Sequence, residues 1–338
     1  MKSKQTIFLS IIALGIVCVV ASLYIQNLYL LRVSTLAVIT AILAVSVNLL
    51  VGYTGQISLG HAGFYGIGAY SFALLTTQLH LPVWLSFLVA FILSGLMGLV
   101  LGLPTTKLKG HFLGIATLGF GIIVNVVLNN WISLTGGPVG IRNIPIPSVF
   151  GISLQYENYF LSFTVACLLL IILLVYFVIH SAIGRAWKCI KRDEISAEVS
   201  GINVYGYKLL AFSLSGGIAG IAGSLYASFM TFVSPEAFDS NQSITIITTV
   251  ILGGAGTLVG PLLGTGIITV LNESLRDFQE LRLIIYGLLL VVFIVFMPQG
   301  IYLFIKERAR SLWTPKKRKQ KQKQWISRGR EQTKEADQ

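Results

Sequence analysis

Residues 33–106 read VSTLAVITAILAVSVNLLVGYTGQISLGHAGFYGIGAYSFALLTTQLHLPVWLSFLVAFILSGLMGLVLGLPTT, a run of 74 residues between Arg32 and Lys107 without one Asp, Glu, Lys or Arg. A soluble domain does not do this, because its surface must meet water. The run holds about three bilayer crossings at roughly 20 residues each. Its middle, from Asn48 to Tyr70, is too rich in Gly and polar side chains for a lipid-facing helix. Broken helix at membrane depth is tolerated only where it is buried in protein or lines a cavity. A transport path is therefore expected there.

The rest of the chain agrees. Of its 338 residues, 54% are hydrophobic and 11% charged, with a mean hydropathy of +0.79. This is the composition of a polytopic membrane protein. Cys18 and Cys167 lie in apolar runs and Cys189 in a basic loop, so packed or free thiols are expected rather than a disulfide framework. Twelve of the 25 Lys and Arg fall in residues 306–338, against four acids. That tail directly follows a hydrophobic segment, which reads as an orientation signal and a contact for anionic lipid, not for nucleic acid. It is expected to be disordered.

Apolar segments place spans at 7–25, 33–51, 57–79, 83–103, 112–131, 159–179, 209–233 and 283–305, with a loop over 132–158. Residues 240–272 are uncharged and interrupted at Gly253-Gly254-Ala255-Gly256 and Pro261, too long for one span and too short for two with a turn. If this segment dips in and returns, 21 of the 25 basic residues share one side, against Arg32, Arg142, Arg276 and Arg282 opposite. A full crossing would divide them 11 and 14. The positive-inside rule favours the re-entrant version, with both termini cytoplasmic. The expected fold is all-α: about eight membrane-spanning helices plus a re-entrant or broken segment. The transmembrane domain covers residues 1–305, with a cytoplasmic loop at 181–208, and the basic tail covers 306–338.

Three constellations stand out. The first is Asn48, Gln56, Ser58 and His61 among closely spaced glycines, which either satisfy one another at a helix contact or border a pathway. The second is Gly253, Gly254 and Gly256, followed by Gly260 and Gly264. The four-residue spacing of Gly256, Gly260 and Gly264 puts them on one helix face, as for Gly216, Gly220 and Ser224. One interrupted segment in each half of the chain is the pattern of inverted-repeat transporters, although no letter-by-letter repeat is present. The third is the loop Gly184 to Asn203. There Asp193 suits an N-cap, Glu194 the first turn and Gly201 a C-terminal stop, giving a short helix through Ala197 and Glu198 with Ile195, Val199 and Ile202 on one face. It is either a docking surface or an interfacial helix held by its basic residues and Trp187.

The chain has no G-x-x-x-x-G-K-[ST] motif, so no P-loop of its own. Its histidines and cysteines lack metal-ligand spacing. No acid lies inside an expected span, which disfavours a proton-coupled carrier.

Asn48-Leu-Leu-Val-Gly-Tyr-Thr-Gly-Gln-Ile-Ser-Leu-Gly-His-Ala-Gly-Phe-Tyr-Gly-Ile-Gly-Ala-Tyr70 resembles the signature of permeases of the high-affinity branched-chain amino acid importers, of the ATP-binding-cassette class. Lys109-Gly-His-Phe-Leu-Gly-Ile-Ala-Thr-Leu-Gly-Phe-Gly121, Ser133-Leu-Thr-Gly-Gly-Pro-Val-Gly-Ile141, the 184–203 loop, Thr249-Val-Ile-Leu-Gly-Gly-Ala-Gly-Thr-Leu-Val-Gly-Pro-Leu-Leu-Gly264 and Met297-Pro-Gln-Gly-Ile301 resemble it too. The likeness is to the M-type subunit.

This resemblance implies a multi-pass subunit of a bacterial cytoplasmic (inner) membrane. Its partners would be a related second permease, two cytoplasmic ATPase subunits and an extracytoplasmic substrate-binding protein. It further implies leucine, isoleucine and valine as substrates, no catalytic residue or cofactor on this chain, and ATP with magnesium on the ATPases. Asp193, Glu194, Ala197, Glu198 and Gly201 would form the segment touching an ATPase. The pathway would pass Asn48, Gln56, Ser58, His61, Gly253, Gly254 and Gly256. Alternatives are the same importer type for urea, short amides or a pentose, a self-sufficient secondary carrier or channel, and a membrane anchor without transport.

Overall fold

A computed structural model of the chain describes residues 27–108, 110–149, 152–275, 287, 300–305 and 308. The expected first span, most of the last span, and the tail apart from residue 308 lie outside the described residues.

Helix α1 (Leu28–Asn48) is capped by Asn27, whose side chain accepts from the Tyr29 and Leu30 amides. It continues without interruption as a π-helical segment, Leu49–Thr54, until Gly55 turns it off with a φ of 75°. The expected span at 33–51 is therefore longer at both ends. Residues 55–60 are not helical, so the third crossing expected from residue 57 starts instead at α2 (His61–Thr77). Seventeen residues rise only about 26 Å. Most of α2 is buried, from His61 to Thr76, which is how a short helix after a break can sit at membrane depth.

Helix α3 (Val83–Thr105) opens after Pro82 and runs through Pro104. The expected end before that proline fails because one missing N–H in the last turn is tolerated there. Helix α4 (His111–Asn130) follows. The connection expected over 132–158 contains a short helix α5 (Ile132–Thr135) and strands β1 (Ile141–Arg142), β2 (Ser148–Val149) and β3 (Ile152–Ser153). Strands β2 and β3 make a small antiparallel hairpin.

Next come α6 (Glu157–His180), α7 (Ala182–Arg192), α8 (Glu194–Val199) and α9 (Val204–Met230). Strand β4 (Phe232–Val233) pairs antiparallel with β1, with Ile141 opposite Val233, fastening the connection to the end of α9. Helices α10 (Ser240–Gly253) and α11 (Gly260–Ser274) follow.

Among the described residues five helical segments are long and apolar enough to cross a membrane: Leu28–Thr54, α3, α4, α6 and α9. Large apolar side chains such as Phe112, Ile115 and Ile123 on α4 face outward, as a hydrocarbon environment requires.

The core forms around α9, whose small residues let backbones close. A Cβ on Gly68 of α2 would strike the Gly220 backbone, and one on Gly216 would strike Ser94 O of α3. Ser224 Oγ donates to Gly68 O over 3.3 Å. The expected Gly216–Gly220–Ser224 surface is a true packing face.

Residues 240–272 form two half-length helices. At 14 and 15 residues, each is shorter than a roughly 30 Å hydrocarbon core requires. They run back along one another, since a Cβ on Gly264 would meet Thr249 O and one on Gly253 would meet Gly260 O. The expected helical face of Gly256, Gly260 and Gly264 is incorrect in one member. Gly256 lies in the break with a φ of 86°, outside the helix that holds the other two.

Candidate translocation site

The π-helical segment 49–54 and the break at 254–259 meet. Asn48 joins them with both ends of its amide. Its Nδ2 donates to Thr257 O at 2.8 Å, and its Oδ1 accepts from the Gly256 amide at 2.8 Å. The approach needs glycine, because a Cβ on Gly52 would collide with the Asn48 side chain and the Gly256 nitrogen. Lys191, at the end of α7, adds a third element by donating from Nζ to Gly52 O at 2.6 Å. Partial burial lowers its pKa from the ordinary lysine value.

A second polar centre starts where α2 begins. Ser215 Oγ on α9 donates to Ser46 O at 2.7 Å, so its lone pairs face His61 Nε2 at 2.8 Å. That puts a hydrogen on Nε2, and Nδ1 lies 3.2 Å from Ser58 Oγ. The ring is buried against that of Phe64. Gln56 is 3% exposed; its backbone amide donates to Leu50 O and its Oε1 lies 3.1 Å from the Thr54 hydroxyl. The amides freed by the break find side chains from other helices: Leu59 N donates to Thr117 Oγ1 on α4, and Ala62 N to Ser243 Oγ on α10.

Asn48, Gln56, Ser58 and His61 are thus all buried, on one continuous stretch of backbone beside the second break. Gly253 ends α10 against Gly260, and Gly254 takes a φ of 117°. These groups offer neutral donors and acceptors but no charge. Among the described residues no group of three His, Cys, Asp or Glu could hold a metal ion.

The 184–203 loop folds as its residues suggested. Asp193 caps α8 by accepting from the Ile195 and Ser196 amides, and Gly201 ends the turn with a φ of 80°. Ala197 is buried, Glu198 is exposed, and Ile195 and Val199 project outward at 67% and 85% exposure. Glu194 pairs with Lys208 of α9 at 2.6 Å, and Lys208, 3% exposed, also donates to Thr106 O at the end of α3. Trp187 is fully buried, and its Nε1 donates to Tyr207 O. It is a packing residue, which corrects the alternative of an interfacial helix anchored by this ring.

Lys191, Lys208, Thr117, Ser215 and Ser243 were not singled out by the sequence. Lys208 carries a usable signal, the only charge in the otherwise apolar α9. Lys191 carries none, being one of four basic residues in a short helix.

Residues 29–294 match the family described as branched-chain amino acid transport system / permease component. The chain is 36% identical over 292 residues to the high-affinity branched-chain amino acid transport system permease protein LivM of Escherichia coli strain K12, covering 80% of this chain and 69% of that one. Similarity to the corresponding permease protein LivH of Salmonella typhimurium strain LT2 is lower, 26% over 288 residues, covering 79% and 92% of the two chains. A probable LivM of Methanocaldococcus jannaschii is 24% identical over 238 residues, covering 63% and 67%. No solved structure matches the chain.

Proposed function

Because this chain belongs to the branched-chain amino acid transport permease family, we propose that it carries leucine, isoleucine and valine inward as one of two permease subunits. It is a multi-pass membrane transport component and not itself an enzyme. Its partners in this reading are a related permease of the LivH kind, two cytoplasmic ATPases that bind ATP with magnesium, and an extracytoplasmic binding protein. Membrane lipid surrounds its outer helices. The membrane is the cytoplasmic one, and the α7–α8 end faces the cytoplasm with both termini. No ligand other than the passing solute binds this chain as a cofactor.

The observation that carries the reading is the junction of the two helix breaks by Asn48, with Lys191 reaching it from α7. Asp193 and Gly201 fix α8 so that Ile195 and Val199 present an apolar face, edged by Glu194 and Glu198, to an ATPase. Motion of α7 and α8 then reaches Gly52 through Lys191. Two short breaks tied by a few hydrogen bonds can reopen and close at far lower cost than a continuous helix. The amino acid passes beside Asn48, Gln56, Ser58 and His61 on one side and Gly253, Gly254 and Gly256 on the other, in an alternating-access cycle. No step past the two breaks requires a charged side chain.

The test is leucine uptake into proteoliposomes holding this chain with its partner permease and ATPases, binding protein outside and ATP trapped inside. Uptake that needs both supports the importer. ATP-independent uptake by this chain alone would make it a carrier or channel and remove the coupling role from α8.

A further inference from the structure

Helix α6 spans about 36 Å over its 24 residues, so its start lies at the opposite end of the bundle from α7 and α8. At that end the start of α6, the start of α1 and the end of α9 border an open cavity of about 350 Å³. This falls within the roughly 300–1,000 Å³ typical of small-molecule sites. Its wall contains one ion pair, Arg32 Nε to Glu157 Oε1 at 2.6 Å. It also contains unspent hydrogen-bonding capacity. Glu157 Oε2 and Ser228 Oγ are buried and have no partner among the described residues, and Ser228 is fully buried. Arg32 is engaged only through Nε, leaving both terminal nitrogens unpaired among the described residues. Leu36, Phe160 and Phe229 supply apolar wall.

Buried polar atoms without partners are uncommon and call for a ligand or water. Here they come with a specific chemistry. Glu157 Oε2 and Ser228 Oγ are acceptors, suited to an ammonium, and the terminal nitrogens of Arg32 form the planar fork that matches a carboxylate. A solute with only one charge would leave the opposite partner unmatched, and a neutral solute would leave both. The geometry points to a subsite for a zwitterionic α-amino acid with an aliphatic side chain. Its ammonium lies toward Glu157 and Ser228, its carboxylate toward Arg32, and its side chain against Leu36, Phe160 and Phe229. The inference rests on the importer reading, in which this end faces outward; the cavity would receive the amino acid before it reaches the broken helices.

The experiment measures binding of tritiated L-leucine to the assembled permease–ATPase complex in nanodiscs, without binding protein or ATP. Saturable binding is expected, displaced by unlabelled leucine. Neither 4-methylpentanoate, which lacks the ammonium, nor 3-methylbutylamine, which lacks the carboxylate, should displace it at the same concentration. Glu157→Gln keeps the side chain's shape and removes the charge. It should weaken binding on the order of ten-fold or more, the usual consequence of losing a charge-assisted hydrogen bond. Ser228→Ala breaks no bond present in the folded chain, so its fold is secure, and it should weaken binding by a smaller factor. Ser228→Met, which fills the cavity, should abolish binding.

No saturable binding to the unaltered complex, or binding indifferent to Glu157→Gln, Ser228→Ala and Ser228→Met, overturns the subsite. ATP-driven leucine uptake measured on the same preparations separates the two readings. Uptake without cavity binding refutes the subsite and leaves the importer standing, whereas absence of leucine uptake refutes the importer itself.

Discussion

Replacing Asn48 tests whether the two helix breaks are held by one side chain. Asn48→Ala removes a donor to Thr257 O and an acceptor for the Gly256 amide, each at 2.8 Å. Position 48 is 1% exposed, so water cannot simply replace the amide. Each backbone group left without a partner costs about 1–3 kcal/mol, so the pair predicts a loss of about 2–6 kcal/mol, the lower half applying where the break relaxes. Asn48→Asp is the sharper variant. It is nearly isosteric and retains the bond to Gly256 N–H, but a carboxylate has no hydrogen for Thr257 O and sets an anion against a carbonyl. It should therefore destabilise at neutral pH at least as much as alanine, despite filling the space. The assay is equilibrium unfolding of the full chain in mixed micelles, with the three proteins compared under identical conditions. A loss below about 1 kcal/mol for Asn48→Ala, or wild-type stability for Asn48→Asp, would show that the junction does not depend on this amide.

Gly68→Val and Gly119→Ala form a contrasting pair. The first drives a side chain into the Gly220 backbone, while nothing lies within 4 Å of a Cβ at Gly119. Overpacking should cost about 1–3 kcal/mol or more in the first case, and the second should be neutral or gain up to about 1 kcal/mol of helix propensity; equal unfolding stabilities would remove the glycine seam as a constraint. Lys191→Met deletes the bond to Gly52 O and is expected to cut ATP-driven uptake on the order of ten-fold while ATP hydrolysis continues, with Lys191→Arg restoring part of the transport. Uptake and hydrolysis that both stay at wild-type levels would detach Lys191 from coupling.

The membrane character, the helical class and the position of both breaks could be read from residues alone because each has a one-dimensional signature. A charge-free run of 74 residues has few explanations, and a glycine cluster within it marks where helix cannot simply continue. The α8 turn was equally legible, since an N-cap and a positive-φ stop are local chemistry: Asp193 and Gly201 do what their types predict. Gly256 was misplaced on a helix because four-residue spacing is the same letter pattern whether or not the chain is helical at its first member. The π-helical continuation through Thr54 was hidden for a related reason. Leu49, Leu50 and Val51 are ordinary helix residues, and the register change lies in the hydrogen-bond ladder, not in composition.

Long-range polar partners were the least visible. Thr117 and Ser243 satisfy amides 58 and 181 residues away, and any Ser or Thr in an apolar helix could have been the one. Lys191 illustrates the difference between a residue that is readable and one that is merely present. Trp187–Tyr207 and Glu194–Lys208 fasten the α7–α8 unit to α9 through one buried aromatic ring and one buried ammonium. Those anchors tie the unit to α9. Lys191 extends from it to the π-helical carbonyl of Gly52, so the Lys191→Met and Lys191→Arg pair tests whether that bond carries movement between α7 and α1. A single flexible ammonium suits that place, because it can follow a carbonyl over a short displacement where a packed side chain would resist it.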